Sequence, residues 1–335
     1  MKLLIRLLAI TNNPRHASFR QRIGIHLDLL REAGIACEVV KLPGGLGARR
    51  ALFASARDFD GILLHRKILN TWDGFWMRRY GGRVIFDFDD AIMYSDRKPE
   101  QVSRIRMRRF GRSTALSCAV IAGNRYLADH ARRYNANVHI LPTALDVRAY
   151  DKKCPHSGDQ GVRLVWIGSD STLKYLHELR PALEEIGKRF PHTILRIVCN
   201  RFLDLEAMPV EKCTWSTETE AADLMTSDIG LAPLPDNRFT RGKCGFKILQ
   251  YQAAGLPVVA SPVGVNGDFV QNGKTGFLAR NHSEWVETLA MLIGNPEMRG
   301  AFGRSGRSEV ERFDARVIGR DLCRLITESL EPGSD

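Results

Sequence analysis

Short apolar runs alternate with longer amphipathic stretches along this chain. In the stretches, apolar residues recur at helical spacing, as Ile23, Leu27 and Leu30 do within Phe19–Ala33. Apolar strands that alternate with helices are typical of a parallel sheet covered by helices on both faces. The pattern therefore predicts an α/β fold. The apolar runs of the first half are Leu3–Ile10, Ile35–Val40, Gly61–Leu64, Val84–Phe88, Cys118–Ala122 and Val138–Leu141.

The alternation breaks once and then restarts. Asp151–Gly161 is polar and contains Pro and Gly, which favours a linker. The length of 335 residues fits about two domains of ordinary size. We predict Rossmann-like domains over residues 1–150 and 162–312, a linker over 151–161, and a C-terminal helix over 313–330 that packs back on the first domain. Later strands are predicted at Arg163–Ile167, Ile194–Val198, Ile229–Ala232 and Pro257–Ser261, and helices at Leu173–Phe190, Lys247–Ala254 and Ser283–Ile293.

Only the first half of the chain has a net positive charge. The net charge is +11, yet residues 1–155 hold 28 Lys and Arg against 14 Asp and Glu, and the remainder holds 21 against 24. A basic half favours an anionic partner. The most basic stretch, Arg97 to Arg112, interleaves Val102 and Ile105 with its cations, which favours a helix on an anionic membrane surface. A solvated helix face is the alternative, and no nucleic-acid-binding motif is found.

Cysteine usage and hydropathy predict a cytoplasmic protein. None of the seven cysteines forms a CxxC pair, which favours reduced, buried thiols. The N-terminal MKLLIRLLAI is interrupted by Arg6 and predicts a first strand rather than a signal peptide. No apolar run approaches about 18 residues, so we expect any membrane contact to be peripheral, on the inner face.

Two loops in the second half have the composition of anion-binding sites. Gly168-Ser169 follows a predicted strand and precedes a helix, where backbone N–H groups can approach an anion. Arg241, Lys243 and Lys247 stand at the start of an apolar helix, where cations are disfavoured unless an anion is bound. An ordinary helix cap and a solvated loop are the alternatives.

The stretch FKILQYQAAGLPVVASPVGVNGDFVQNGKTGFLA, residues 246–279, resembles the donor-binding region of GT-B glycosyltransferases of family 4. The family shares the order of helix, AxGxPVVA, strand, glycine loop and NGxxGFL. Leu164–Ser169 and Asp228–Leu234 resemble two earlier strands of that region, and Ile140–Asp146 resembles the lead-in to the linker. The resemblance is strong over residues 118–311 and looser before them. It implies the GT-B fold, in which two Rossmann-like, doubly wound parallel-sheet domains face each other across a cleft.

The resemblance implies transfer of a hexose from a UDP- or GDP-linked nucleotide sugar to a cell-surface glycan or lipid-linked acceptor, with retention and without a metal or cofactor. The family's pair of glutamates, E-x7-E, falls here on Gly242 and Gln250. Gln250 keeps a hydrogen-bonding side chain for the ribose, whereas Gly242 cannot replace a carboxylate. The donor contacts carried over are Gly168, Ser169, Arg241, Lys243, Lys247, Gln250, Gly264 and Val265.

Three carboxylates, Asp87, Asp89 and Asp90, lie at the end of a predicted strand in the first half. Asp87 and Asp89 match the DxD motif that holds a metal in another glycosyltransferase architecture. Alternatively, Asp87 pairs with an inward partner and Asp90 caps a helix. We prefer catalytic roles in which Asp89 or Asp90 contacts the acceptor or orients His65, which follows the run Gly61–Leu64. A surface histidine is the alternative for His65.

The loop after the first strand carries Arg20 and Arg22. By the same resemblance this loop faces the cleft, so both arginines are candidates for binding the acceptor or the donor phosphates. An exposed helix face is the alternative.

Two other classes of function stay open at this stage. The departure from the glutamate pair fits a nucleotide-sugar-binding protein without catalysis. The basic first half fits a membrane- or nucleic-acid-binding module.

Overall fold

The computed structural model describes residues 4–151 and 161–331, so almost all of the predicted linker lies outside the described residues. The chain divides into two compact units. Unit 1 contains the chain up to Ala144, Asn237–Cys244 and the residues from Phe313 onward, and unit 2 contains Leu145–Asp236 and Gly245–Arg312. The segment Asn237–Cys244 therefore belongs to unit 1, although it falls within the predicted second domain.

Unit 1 is built on a six-stranded parallel sheet with the strand order β2-β1-β3-β4-β5-β6. Successive residues of β1 contribute to two different apolar clusters, Leu7 and Ala9 to one and Leu8 and Ile10 to the other. Both faces of the sheet are therefore covered, as the continuous apolar runs predict. The strands are β1 Ile5–Thr11, β2 Ile35–Lys41, β3 Gly61–His65, β4 Val84–Phe88, β5 Ala119–Ala122 and β6 Val138–Ile140.

The helix predicted over Phe19–Ala33 is broken into two. Gly24–His26 forms a 3₁₀ turn in its middle, and the backbone leaves helical geometry at Ile23, with φ −131°. Glycine is a poor helix former, which favours the break at this point. The helices of unit 1 are α1 Ala17–Arg22, α2 Leu27–Glu32, α3 Leu46–Ser55, α4 Thr71–Tyr80, α5 Arg104–Leu116, α6 Arg125–Ala131 and, from the C-terminal end of the chain, α14 Ala315–Leu330.

Helix α14 packs on unit 1. Its Ile318, Leu322 and Ile326 are buried in the same apolar cluster as Leu7 and Ile23. Its apolar residues recur at helical spacing, so one stripe of the helix is buried and the opposite side is polar.

Unit 2 repeats the parallel arrangement with the strand order β12-β11-β10-β7-β8-β9. The sequence patterns missed β9, an edge strand that is only half buried, and β12, which has three residues and lies in a glycine-rich motif. The strands are β7 Arg163–Ile167, β8 Ile194–Cys199, β9 Val210–Thr214, β10 Ile229–Ala232, β11 Val258–Ala260 and β12 Gly276–Leu278.

The helix predicted over Leu173–Phe190 is also divided. Pro181 lies in the first turn of the second piece, where a missing N–H is tolerated, so a new helix begins there. Across both units, the parallel sheets and their helices confirm the predicted α/β class. The helices of unit 2 are α7 Leu173–Glu178, α8 Arg180–Arg189, α9 Glu220–Met225, α10 Phe246–Ala253, α11 Asn266–Phe269, α12 His282–Gly294 and α13 Pro296–Val310.

Within residues 4–151 and 161–331, no helix has both the length and the apolar character that crossing a bilayer requires.

Candidate functional site

Polar side chains gather in unit 1 where strands β1, β3 and β4 end. His65 is the last residue of β3, and its ring lies between Thr11, 3.1 Å from Nδ1, and Ser18, 3.0 Å from Nε2. The Ser18 hydroxyl in turn donates to Asp89 Oδ1 at 2.8 Å. Because carboxyl ends of parallel strands meet at one edge of a sheet, residues far apart in sequence form a single hydrogen-bonded chain here.

The hydrogen bonds fix the tautomer of His65. Since the Ser18 hydroxyl donates its proton to Asp89, its oxygen accepts from His65 Nε2–H, and Nδ1 accepts from Thr11. Burial lowers the pKa of His65 to about 4. His65 is therefore a neutral, buried ring that orients Asp89 through Ser18, and the alternative of a surface histidine is wrong.

Four charged side chains lie beside this chain of hydrogen bonds. Arg66 contacts Asp89 at 3.3 Å and Asp90 at 2.6 Å, and Lys243 Nζ contacts Asp90 at 3.0 Å. Their side chains are 13–26% exposed, so each of the four is partly accessible to a ligand.

Arg66 has a left-handed backbone, φ 53°, which costs a non-glycine residue on the order of 1–3 kcal/mol. The two ion pairs offset that strain, and such strain is typical of functional sites.

Asp89 is ionised at neutral pH. Burial would raise the pKa of its carboxyl, but the positive charges of Arg66 and Arg22, the nearby His65 and the Ser18 hydrogen bond lower that pKa to about 2. Asp89 thus presents a fixed negative charge and cannot act as a proton donor near pH 7.

A second histidine, which the sequence patterns did not single out, stands beside the charged group. His16 caps α1 by accepting the Ser18 backbone N–H at Nδ1, 3.2 Å, which leaves Nε2 as a donor. Burial and the charge of Arg66 lower the pKa of His16, while Asp89 and Asp90 oppose them. His16 is exposed. Its position in the loop that follows the first strand was the only sequence signal for it.

Asp87 does not belong to this exposed group. It forms a buried ion pair with Arg22, and the two side chains are 3% and 1% exposed. Arg22 also donates to the Leu141 carbonyl at 2.5 Å. Arg22 is thus a structural residue and not an acceptor contact, and Asp87 takes the inward partner that was the alternative to metal binding. Arg20, on the same helix, is half buried.

The segment Asn237–Cys244 brings Lys243 to the carboxylates of unit 1. Asn124 anchors it by donating from Nδ2 to the carbonyls of Gly242 and Lys243, each at 3.1 Å. The Cys244 thiol donates to the Asp89 carbonyl at 3.1 Å, and burial raises the pKa of that thiol. Arg241 and Lys243 were expected with Lys247 in the second domain, and the structure assigns them to unit 1 instead.

The packing of Gly242 explains the absence of a glutamate there. A Cβ at this position would lie 2.7 Å from Ala91 Cβ and 2.8 Å from the Ala91 amide nitrogen. Real Cβ atoms do not approach so closely, and backbone cannot move aside as a flexible side chain can. The position has room for hydrogen only.

In unit 2, Lys247 and the Gly168 turn lie together as expected. Lys247 is in the first turn of α10, and its ammonium sits 4.0 Å above the Trp166 ring, a cation–π geometry that fixes its direction. A Cβ at Gly168 would lie 2.5 Å from the Trp166 ring and 2.8 Å from Lys247 Nζ, so glycine leaves room here for both side chains. Ser169 is exposed and begins the 3₁₀ turn Asp170–Thr172 with a capping box. A cation is thereby held against a glycine turn at the end of β7.

Gln250 faces a protein partner. Its side chain is buried, and Nε2 donates to the Tyr150 hydroxyl at 3.4 Å. Burial and the nearby Glu220 raise the pKa of Tyr150, which keeps this hydroxyl protonated. Tyr150 therefore holds the Gln250 side chain within unit 2, and the ribose contact of Gln250 stays a prediction.

The remaining predicted donor residues lie after β11. Gly264 has φ 55°, a left-handed conformation that favours glycine, and Val265 is the buried residue at the start of α11. Asn266 holds the turn by donating to the Ser261 carbonyl at 3.1 Å.

Among the described residues, no three His, Cys, Asp or Glu side chains are grouped to hold a metal ion.

Residues 148–295 match the model of a protein family described as Glycosyl transferases group 1. The match covers less than half of the 335 residues, and over that range the chain is similar to the family. The matched region includes β7, the Gly168 turn, Lys247 and the loop after β11, which are the features that carried the sequence resemblance.

Solved structures with the same fold cover nearly the whole chain. HepE from Anabaena, solved in complex with UDP and glucose, is 16% identical with a TM-score of 0.74, and the match covers 97% of this chain and 100% of that one. Sucrose-phosphate synthase from Thermosynechococcus elongatus is 13% identical with a TM-score of 0.75 and covers 97% and 98%. The two units thus have the GT-B fold.

Curated relatives match over shorter stretches. A D-inositol 3-phosphate glycosyltransferase from Thermobispora bispora is 29% identical over 117 residues, 34% of this chain and 26% of its own length. A sulfoquinovosyl transferase from Arabidopsis thaliana is 36% identical over 78 residues, 22% of this chain and 15% of its own. The chain therefore spans about a quarter or less of the length of these relatives.

Proposed function

We propose that the protein transfers a hexose from a UDP- or GDP-linked sugar to a glycan or lipid-linked acceptor, with retention and without a metal. The observation that carries this proposal is the group 1 match over residues 148–295, which includes Lys247 held against the Gly168 turn. HepE, which shares the fold, was solved with UDP and glucose.

In this proposal unit 2 binds the diphosphate of the donor. The ammonium of Lys247 is a compact positive charge whose position is already fixed by Trp166. Such a preorganised charge stabilises the negative charge that develops on the leaving diphosphate. The glycine turns at Gly168 and Gly264 allow the backbone to approach the phosphates closely.

Unit 1 supplies the acceptor contacts. Asp89 and Asp90 present carboxylates that can accept hydrogen bonds from sugar hydroxyls, and Asp89 is fixed by Ser18 and Arg66. His16 adds an exposed Nε2 donor beside them. His65 acts through Ser18 and is a positioning residue.

One observation favours a second candidate, a nucleotide-sugar-binding protein without transfer activity. The two glutamate positions of the family are occupied by Gly242, which has no room for a side chain, and by the buried Gln250. Release of free UDP or GDP from the nucleotide sugar in the presence of acceptor extracts distinguishes the enzyme from the binder.

Donor binding is tested by the thermal shift of the purified protein with UDP, GDP and ADP. We expect UDP or GDP to raise the melting temperature more than ADP does. Lys247→Ala should weaken that binding roughly ten- to a hundredfold, the value of a charged hydrogen bond. The control is Lys274→Ala, which removes an exposed lysine of the same unit that pairs with Glu309 at 3.4 Å. If no nucleoside diphosphate shifts the melting temperature, the donor site is refuted.

A further inference from the structure

Exposed apolar side chains are concentrated in unit 1, the unit that carries the positive charge. In the part of the chain that the structure describes, every large apolar side chain that is exposed belongs to unit 1, apart from Met291. Monomeric soluble proteins rarely group such side chains without a partner. The unit 1 members are Leu4, Leu46, Trp72, Phe75, Val102, Ile105, Tyr134 and Ile140.

The most exposed aromatic residues share one face of α4. Trp72 and Phe75 are 60% and 59% exposed, whereas Trp76, whose ring centroid lies 6.3 Å from that of Trp72, and Met77 are buried. Arg79 follows at helical spacing and is also exposed. The outward face of α4 therefore has two large rings followed by a cation.

Helices α3 and α5 are joined to α4 by specific contacts. Arg49 on α3 pairs with the fully buried Asp73 on α4 at 3.1 Å. Arg112 on α5 donates to the Leu69 carbonyl at 2.8 Å, and its side chain fills the space beside Gly74 on α4. The three helices therefore form one continuous surface, named here the α3–α5 surface.

The α3–α5 surface is strongly basic. Its three helices carry a single acidic residue, Asp73, which is buried and already paired. Leu46 on α3 and Ile105 on α5 are 57% and 63% exposed, so apolar side chains stand among the cations on each helix. The arginines of the three helices are Arg49, Arg50, Arg78, Arg79, Arg104, Arg106, Arg108, Arg109 and Arg112.

We propose that the α3–α5 surface binds an anionic lipid bilayer. Exposed aromatic and aliphatic side chains enter the interfacial region, and the guanidinium groups lie at the level of the lipid headgroups. The arginines complement the charge of an anionic bilayer, and the exposed apolar side chains select it over a duplex nucleic acid, which offers phosphates but nothing for Trp72, Phe75 and Ile105 to enter. The surface gives the proposed lipid-linked or glycan acceptor a place at the membrane, but lipid binding does not require sugar transfer.

The test is co-sedimentation of the full chain with vesicles of phosphatidylcholine alone or mixed with about one third phosphatidylglycerol. We expect binding to the mixed vesicles that falls as salt rises. The double substitution Trp72→Ser/Phe75→Ser should weaken binding about tenfold. Arg104→Gln/Arg108→Gln should weaken binding to the mixed vesicles and reduce its salt dependence.

Matched controls come from unit 2. Met291→Ser removes an apolar side chain that is 46% exposed, and Arg280→Gln removes an arginine side chain that is 69% exposed. Neither should change vesicle binding. All substituted side chains are exposed, and an unchanged melting temperature verifies the fold of each variant.

Three results would overturn the proposal. They are equal sedimentation with neutral and mixed vesicles, equal binding by the aromatic double variant and the wild type, and complete displacement by single-stranded RNA, which would assign the surface to nucleic acid. The thermal shift with UDP or GDP is measured without vesicles, so failure of the lipid proposal and failure of the proposed function are separate outcomes.

Discussion

Substitution of Asp87 tests whether the carboxylates at the end of β4 are structural or metal-binding. Asp87→Asn removes the negative charge from a pair whose two side chains are 3% and 1% exposed. Arg22 keeps its hydrogen bond to the Leu141 carbonyl, but its charge has lost its partner. Burial would lower the pKa of Arg22, yet Asp87 raises it, so the guanidinium stays charged in the native protein.

The expected loss of stability is large. Breaking one partner of a buried ion pair costs about 3–5 kcal/mol because an uncompensated charge stays buried. For a unit of this size that corresponds to a fall of roughly 6–20 °C in melting temperature. Asp28→Asn is the control, because Asp28 and Arg31 form a pair that is 86% and 76% exposed, and such pairs contribute about 0–1 kcal/mol.

Calorimetry and urea denaturation of the wild type and both variants measure these losses. The double variant Arg22→Met/Asp87→Leu should recover much of the stability, since it leaves no buried charge. Magnesium or manganese should stabilise none of the proteins. The reasoning is refuted if Asp87→Asn costs no more than Asp28→Asn, or if a divalent ion stabilises the wild type and not Asp87→Asn.

Three further predictions concern the same region. Gly242→Glu should lower the melting temperature and should not enhance donor binding, because the side chain meets Ala91; a stable variant with tighter UDP or GDP binding contradicts the packing argument. His65 has a folded pKa of about 4 against an ordinary 6.5, so the unfolded chain takes up its proton first as the pH falls. The contribution of this group to the free energy of unfolding should therefore decrease by about 2 kcal/mol between pH 7 and pH 5. Urea denaturation at several pH values should show that the unfolding free energy of His65→Asn falls less steeply with decreasing pH than that of the wild type. The dependence that remains reflects the similarly buried His26. Donor turnover should be unchanged by EDTA; a loss of turnover that magnesium restores would refute the proposed metal-independent reaction.

The sequence determined the strand segments that lie in the sheet centres. The predictions for Arg163–Ile167 and Ile229–Ala232 match β7 and β10 at both ends, because strands buried on both faces are continuous apolar runs. The order of motifs over residues 246–279 likewise indicated the resemblance to the glycosyltransferase family. Gly168 and Lys247 were both predicted as donor contacts, and the fold of unit 2 brings them side by side.

The tertiary structure decided which charged residues meet. Arg22 and Lys243 both looked like ligand-binding cations, yet one is buried against Asp87 and the other pairs with Asp90 in unit 1. Local periodicity reports which face of an element is apolar and carries no information about a partner that is distant in the sequence. The exposed face of α4 is a similar case, because Trp72 and Trp76 look alike in the sequence and only packing shows which ring is buried.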